Sequence, residues 1–79
     1  MLLSKKSVIA SVCKALKIKK INMNSGSENI DSWDSLAQLT ILSELDKKTN
    51  GKIFNIHDIS RATSVKDIIK VLKKAKLYK

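Results

Sequence analysis

Apolar residues recur at helical spacing in three stretches of the chain. In the first, Val8, Ile9, Val12, Cys13 and Leu16 stand at i, i+1, i+4, i+5 and i+8, one stripe of a helix over Ser4 to Ile18. Lys5, Lys6, Lys14 and Lys17 fall largely off that stripe. Then Asn22 to Asn29 is polar and without period, so a long loop is expected to run to about Asp34. Loops of such length are uncommon in small domains and often functional.

The second stretch predicts a helix from Ser35 to Lys48. Asp34 or Ser35 can cap it, and Ser35-x-x-Gln38 fits a capping box. Lys47 and Lys48 suit the negative end of the helix dipole, and Thr49-Asn50-Gly51 is a stop. Leu36, Leu39, Ile41, Leu42 and Leu45 cover more than the roughly 100° stripe a surface helix needs, so this helix has apolar surface beyond its core contact. Ile53 and Phe54 are expected to pack inward, and Asn55-x-x-Asp58 to start a short helical turn through Ile59 to Arg61. Thr63 or Ser64 then caps a last helix, in which Val65, Ile68, Ile69 and Leu72 repeat at i, i+3, i+4 and i+7. The residues from Lys73 to Lys79 are expected to fray.

This order predicts an all-α fold, three main helices plus one short helix, in a single small domain over residues 1–79. Such a chain buries only about 60% of its unfolded surface. With aromatic residues at 4%, the core must be Leu, Ile and Val. The lone Cys13 excludes an internal disulfide and a cysteine-based metal site, and reads, like Met23, as a packing residue. No run approaches the roughly 20 apolar residues of a membrane span, and the N-terminal residues do not form a signal peptide. A reducing, cytoplasmic setting is the default expectation.

Charge is uneven. The net charge is +9, yet five of the seven acidic residues lie between Glu28 and Asp46, where none of the 16 Lys and Arg occurs. An acidic island therefore surrounds Ser35. The lysines elsewhere read as solvated helix surface; the competing reading is a nucleic-acid or anionic-membrane binder. Their dispersal and the lack of a groove-reading or stacking motif argue against nucleic acid. Ser35 itself, read locally, serves equally as an N-cap or as a site for a phosphate-linked group, which a helix start favours. His57 is the only histidine, with no metal partner in view and no nearness to Ser35, so Ser35 lacks the base a catalytic nucleophile needs. Trp33 reads as a partly buried plug closing the loop.

Taken together, these features resemble the acyl carrier protein family. They are a first amphipathic helix, a long loop, Asp34-Ser35-Leu36 opening a second helix, and the continuation LAQLTILSEL. A turn with Gly51 and Ile53, the segment IHDISRAT and a final helix SVKDIIKVL complete the likeness, which spans about Ser4 to Leu72.

The resemblance implies a small four-helix acyl-carrier-like bundle that is a carrier and not an enzyme. It implies 4′-phosphopantetheine on Ser35, attached by a magnesium-dependent phosphopantetheinyl transferase, with Asp34 beside the transferase's metal site. The arm would hold an acyl or aminoacyl cargo as a thioester for loading and transferring enzymes. Leu36, Leu39, Asp31 and Glu44 are the expected docking residues. Leu39, Ile41, Leu42 and Leu45, with Ile59 and Ile68 opposite, are the expected lining for an acyl chain. The chain departs from the family in its basic positions Lys47, Lys48, Lys52, His57 and Arg61. That points to a specialised carrier with a dedicated partner, in surface-sugar or secondary-metabolite assembly, as against fatty-acid synthesis. A monomer is expected, without nucleic acid. The alternatives are a small basic nucleic-acid binder and a degenerate carrier fold kept for protein interaction.

Overall fold

Ser4 opens the first helix, α1 (Lys5–Leu16), in the computed structural model, which describes residues 2–79. Its hydroxyl accepts the Ser7 N–H while the Ser7 hydroxyl accepts the Ser4 N–H, a reciprocal cap built from two serines. The helix stops at Leu16, short of Ile18, because Lys17 turns left-handed at φ 58° and the Ile18 N–H returns to Cys13 O. Val8, Val12 and Leu16 face the core as expected, but Ile9 and Cys13 are only half buried. At about 100° per residue those two lie at one edge of the stripe, and Ser11 at the other edge takes the core place. Burying the Ser11 hydroxyl is compensated by the Lys48 ammonium, which donates to it at 2.7 Å.

The long segment between Lys17 and Asp34 is a loop sewn to the start of the last helix, α3 (Val65–Lys74). The Ser27 N–H donates to Thr63 O, the Val65 N–H to Ser25 O and the Lys66 N–H to Met23 O. The last two are N–H groups of the first turn of α3, which no helix can satisfy internally. Gly26 is required at this seam, since a Cβ there would lie 2.7 Å from both Ser64 Cβ and Thr63 O.

The second helix, α2 (Ser35–Lys48), has the expected bounds. Gly51 at φ 80° follows Asn50 at φ 57°, and the Gly51 N–H returns to Asp46 O to end it. Ile53 is buried, but Phe54 is half exposed; the expectation that both pack inward is corrected, because Ile53 alone fills that place and the chain turns outward after it. A short 3-10 helix, Ile59–Arg61, follows, and α3 is capped by the Ser64 hydroxyl, which accepts the Asp67 N–H.

α1 packs against both α2 and α3, and Ile41, Leu45, Ile53, Ile68 and Leu72 are fully enclosed between them. The fold is all-α; among the described residues the only β-type pairings are isolated bridges, Leu3 with Tyr78 and Gly26 with Ser64. The first of these corrects the expectation of a frayed C-terminus. The Leu3 N–H donates to Leu77 O and the Lys79 N–H to Leu3 O, tying the two ends together, while Lys73 Nζ sits 5.6 Å from the centre of the Tyr78 ring. Among the described residues no helix is long and apolar enough to cross a membrane.

Candidate functional site

Asp34, not Ser35, caps α2. Its backbone is extended, at φ -101° and ψ -171°, and its Oδ1 accepts the Ala37 N–H at 2.9 Å. Ser35 is thus the first helical residue, and its exposed side chain is not needed to hold the helix end. The expected Ser35–Gln38 capping box does not form. Gln38 turns the other way: its Oε1 accepts the Trp33 indole N–H at 2.6 Å, and its Nε2 donates to Ala62 O at 2.9 Å. One amide therefore ties the loop before Ser35 to the segment after the 3-10 helix.

Trp33 is 3% exposed, more deeply buried than a partial plug. A large aromatic can be buried this far only when its N–H finds a partner, which Gln38 supplies. With Trp33 anchored below and Asp34 locking the helix start, the turn at Ser35 is held from both sides.

A cleft of about 440 Å³ opens beside Ser35, walled by Ser27, Trp33, Asp34, Gln38, Ser60 and Thr63. Its walls come from the long loop, the start of α2, the 3-10 helix and the approach to α3. Hydroxyls and the Gln38 amide stand among them, but more of the exposed lining is apolar than polar, so the cleft offers a ligand both hydrogen-bonding groups and hydrocarbon contact. Ser35 takes part in none of the hydrogen bonds that fasten the turn.

The two helix starts on this side differ. At α3 the loop carbonyls of Ser25 and Met23 take up the N–H groups of Val65 and Lys66. At α2 the cap satisfies Ala37, and the N–H groups of Ser35 and Leu36 make no hydrogen bond among the described residues. An anionic group attached at Ser35 meets those donors and the positive end of the dipole.

Leu36 is 74% exposed and Leu39 is 55% exposed. Both lie on the side of α2 away from Ile41 and Leu45, so they form a solvent-facing pair beside Ser35. That places Leu39 at the surface and outside the enclosed group. Ile41, Leu42, Leu45, Ile59 and Ile68 are all buried and packed in the core, and none of them lines the Ser35 cleft. Sheltering an acyl chain among them therefore requires these side chains to move.

The acidic island of the sequence is smaller in three dimensions. Glu44 is engaged by Lys14 at 3.2 Å and Lys47 at 3.5 Å. The hydrogen bond from Lys14 holds its carboxyl below the usual value, against the opposing effect of partial burial, and the charges of both lysines add to that direction. Asp46 Oδ1 accepts the Ile53 N–H. Of the other three, Asp34 adjoins Ser35, Asp31 lies in the turn before it and Glu28 further back in the loop, all exposed. His57 is exposed and contacts Asp58 at 3.3 Å, and among the described residues no cluster of His, Cys, Asp or Glu is placed to hold a metal ion.

The sequence points to Gln38 and Thr63 only as capping residues and to Ser27 and Ser60 not at all; the relay of Gln38 and the cleft walls Ser27, Ser60 and Thr63 come from the structure. Nothing local marks these roles, because each residue matters through a partner or neighbour distant in the chain. Comparison with protein-family models, with curated proteins and with solved structures finds no match.

Proposed function

We propose that the protein is a carrier whose Ser35 bears 4′-phosphopantetheine and which adopts an acyl-carrier-like bundle. The observation that supports this most is the exposed Ser35 at the first position of α2, relieved of capping by Asp34 and opening onto a cleft of mixed polar and apolar lining. In the attachment step the Ser35 hydroxyl oxygen forms a bond to the phosphorus of coenzyme A that bears pantetheine. Adenosine 3′,5′-bisphosphate leaves, and the serine proton passes to the transferase, which also supplies magnesium. When bound, the arm supplies a thiol that holds an acyl or aminoacyl group as a thioester.

The chain's own residues do the rest. The Ser35 and Leu36 N–H groups receive the phosphodiester, Asp34 and Trp33 fix the turn that presents it, and the hydroxyls of Ser27, Ser60 and Thr63 face the arm. Leu36 and Leu39 offer partner enzymes an apolar contact beside the attachment point, with Asp31 exposed at the same tip. Glu44 is less available for docking, being paired with Lys14 and Lys47. The carrier is a specialised one, because lysines occupy the end of α2 where an acidic surface would suit general partners.

Intact-protein mass after incubation with coenzyme A, magnesium and a broad-specificity phosphopantetheinyl transferase tests the reading. A gain of one phosphopantetheine, absent in Ser35→Ala, supports it. Unmodified Ser35 in protein purified from its native cells overturns it.

A further inference from the structure

The outer face of α1 carries a second feature that shares no residue with the Ser35 cleft. A groove of about 600 Å³ has Ile9, Ala10 and Cys13 as its apolar floor and Lys5, Lys6 and Lys19 around it. Its floor consists of apolar positions that the core covers only in part or not at all: Val8, Val12 and Leu16 point inward, Ile9 is half buried against the edge of the core, Cys13 is half buried and Ala10 lies outside. The surrounding charge is of one sign. Residues 1–27 contain six lysines and no Asp or Glu. Of these lysines Lys14 pairs with Glu44, whereas Lys5, Lys6, Lys17, Lys19 and Lys20 are exposed and enter none of the ion pairs among the described residues. Leu2, half exposed, adds an apolar side chain just before the helix.

We propose that this lysine-ringed face of α1 docks the protein on an anionic lipid surface. A face that carries only positive charge complements a surface of uniformly negative potential, and the apolar floor inside the ring adds a contact that a purely ionic partner would not use. A planar, laterally mobile layer of anionic headgroups needs no register. Long lysine side chains reach it from several positions while their stems lie along apolar surface. The apolar floor and Leu2 add contact at the boundary of headgroup and hydrocarbon, as on other amphipathic helices that lie on a membrane without crossing it. Docked this way, the protein keeps Ser35 and its cleft free, since α1 is held to α2 through its other side, by Lys14 to Glu44 and Lys48 to Ser11. The proposal does not depend on what Ser35 carries.

The test is co-sedimentation of the full chain with vesicles of phosphatidylcholine containing about a third phosphatidylglycerol, beside pure phosphatidylcholine. The expected result is binding to the anionic vesicles only, lost as salt rises from roughly 0.1 M to 0.5 M. Reversing the ring with K5E/K6E/K19E lowers partitioning about tenfold or more, while K66E/K70E/K74E, an equal charge change on exposed lysines of α3, lowers it less than about threefold. Ile9→Ser weakens binding at constant charge, with helicity checked by circular dichroism. Absence of binding at low salt overturns the proposal, as does equal loss from the two triple variants. So does a protein that ignores vesicles yet binds an acidic, leucine-bearing helical peptide through these lysines.

Discussion

The indole N–H of Trp33 and the amide oxygen of Gln38 lie 2.6 Å apart beneath the turn that presents Ser35. The pair matters because Trp33 is almost wholly buried and its N–H has no water to turn to. Gln38→Ala leaves that donor unmatched and also frees Ala62 O, so a loss of about 1–3 kcal/mol is expected. Urea denaturation measures it. Trp33→Phe in the Gln38→Ala background should cost less than the sum of the two single changes, because the orphaned N–H is then gone.

Asp34 and Ser35 separate structural from chemical roles at adjacent positions. Asp34→Ala removes the cap on Ala37 and should lower stability by about 1 kcal/mol. Ser35→Ala should stay within about 0.5 kcal/mol of the parent, since the side chain is exposed and holds nothing. A Ser35→Ala variant as destabilised as Asp34→Ala would mean that the serine is a structural residue after all.

Gly26→Ala tests the seam between the long loop and α3. The added carbon meets backbone and a short side chain, neither of which can swing aside, so a loss of about 1–3 kcal/mol is expected. Hydrogen exchange should then quicken at Ser27 and at Val65 and Lys66, whose N–H groups cross the seam. Unchanged protection at those amides would contradict the role assigned to the glycine.

Glu44 gives a pH signature. Its carboxyl is held low in the folded state, so its contribution to stability is present above its unfolded value and is lost as pH falls through the folded one. The parent should therefore lose more stability than Glu44→Gln on acidification below the usual carboxylate range. Because Lys14 and Lys47 are largely exposed, the difference should shrink in high salt. Parallel acid titrations of thermal stability at two ionic strengths decide this.

Helix identity was legible because local patterns and caps agree with the packing. The bounds of α2 follow from Asp34 at one end and Asn50-Gly51 at the other, signals contained within a few residues. The stripe of α3, with Ile68, Ile69 and Leu72 buried, follows in the same way from period alone. Where a residue's role depended on a distant partner, the local pattern misled. Gln38 fits a capping box by spacing, yet bonding Trp33 and Ala62 satisfies two buried groups at once. Phe54 adjoins a core residue and still faces outward.

Spacing, capping chemistry and the dipole suffice to locate the helical segments and to set Ser35 at a helix start. What surrounds that serine follows from packing between distant segments. The cleft walls Ser27, Ser60 and Thr63 meet through the loop–α3 seam. Glu44 loses its place in the acidic island because Lys14 reaches it from another helix. The apolar edge of α1 becomes a lysine-ringed groove because the core accepts only part of the stripe. Each of these depends on contacts between residues far apart in the chain, and the physical reason is the same throughout. Burial and charge pairing are properties of neighbours in space, while periodicity records only neighbours along a helix.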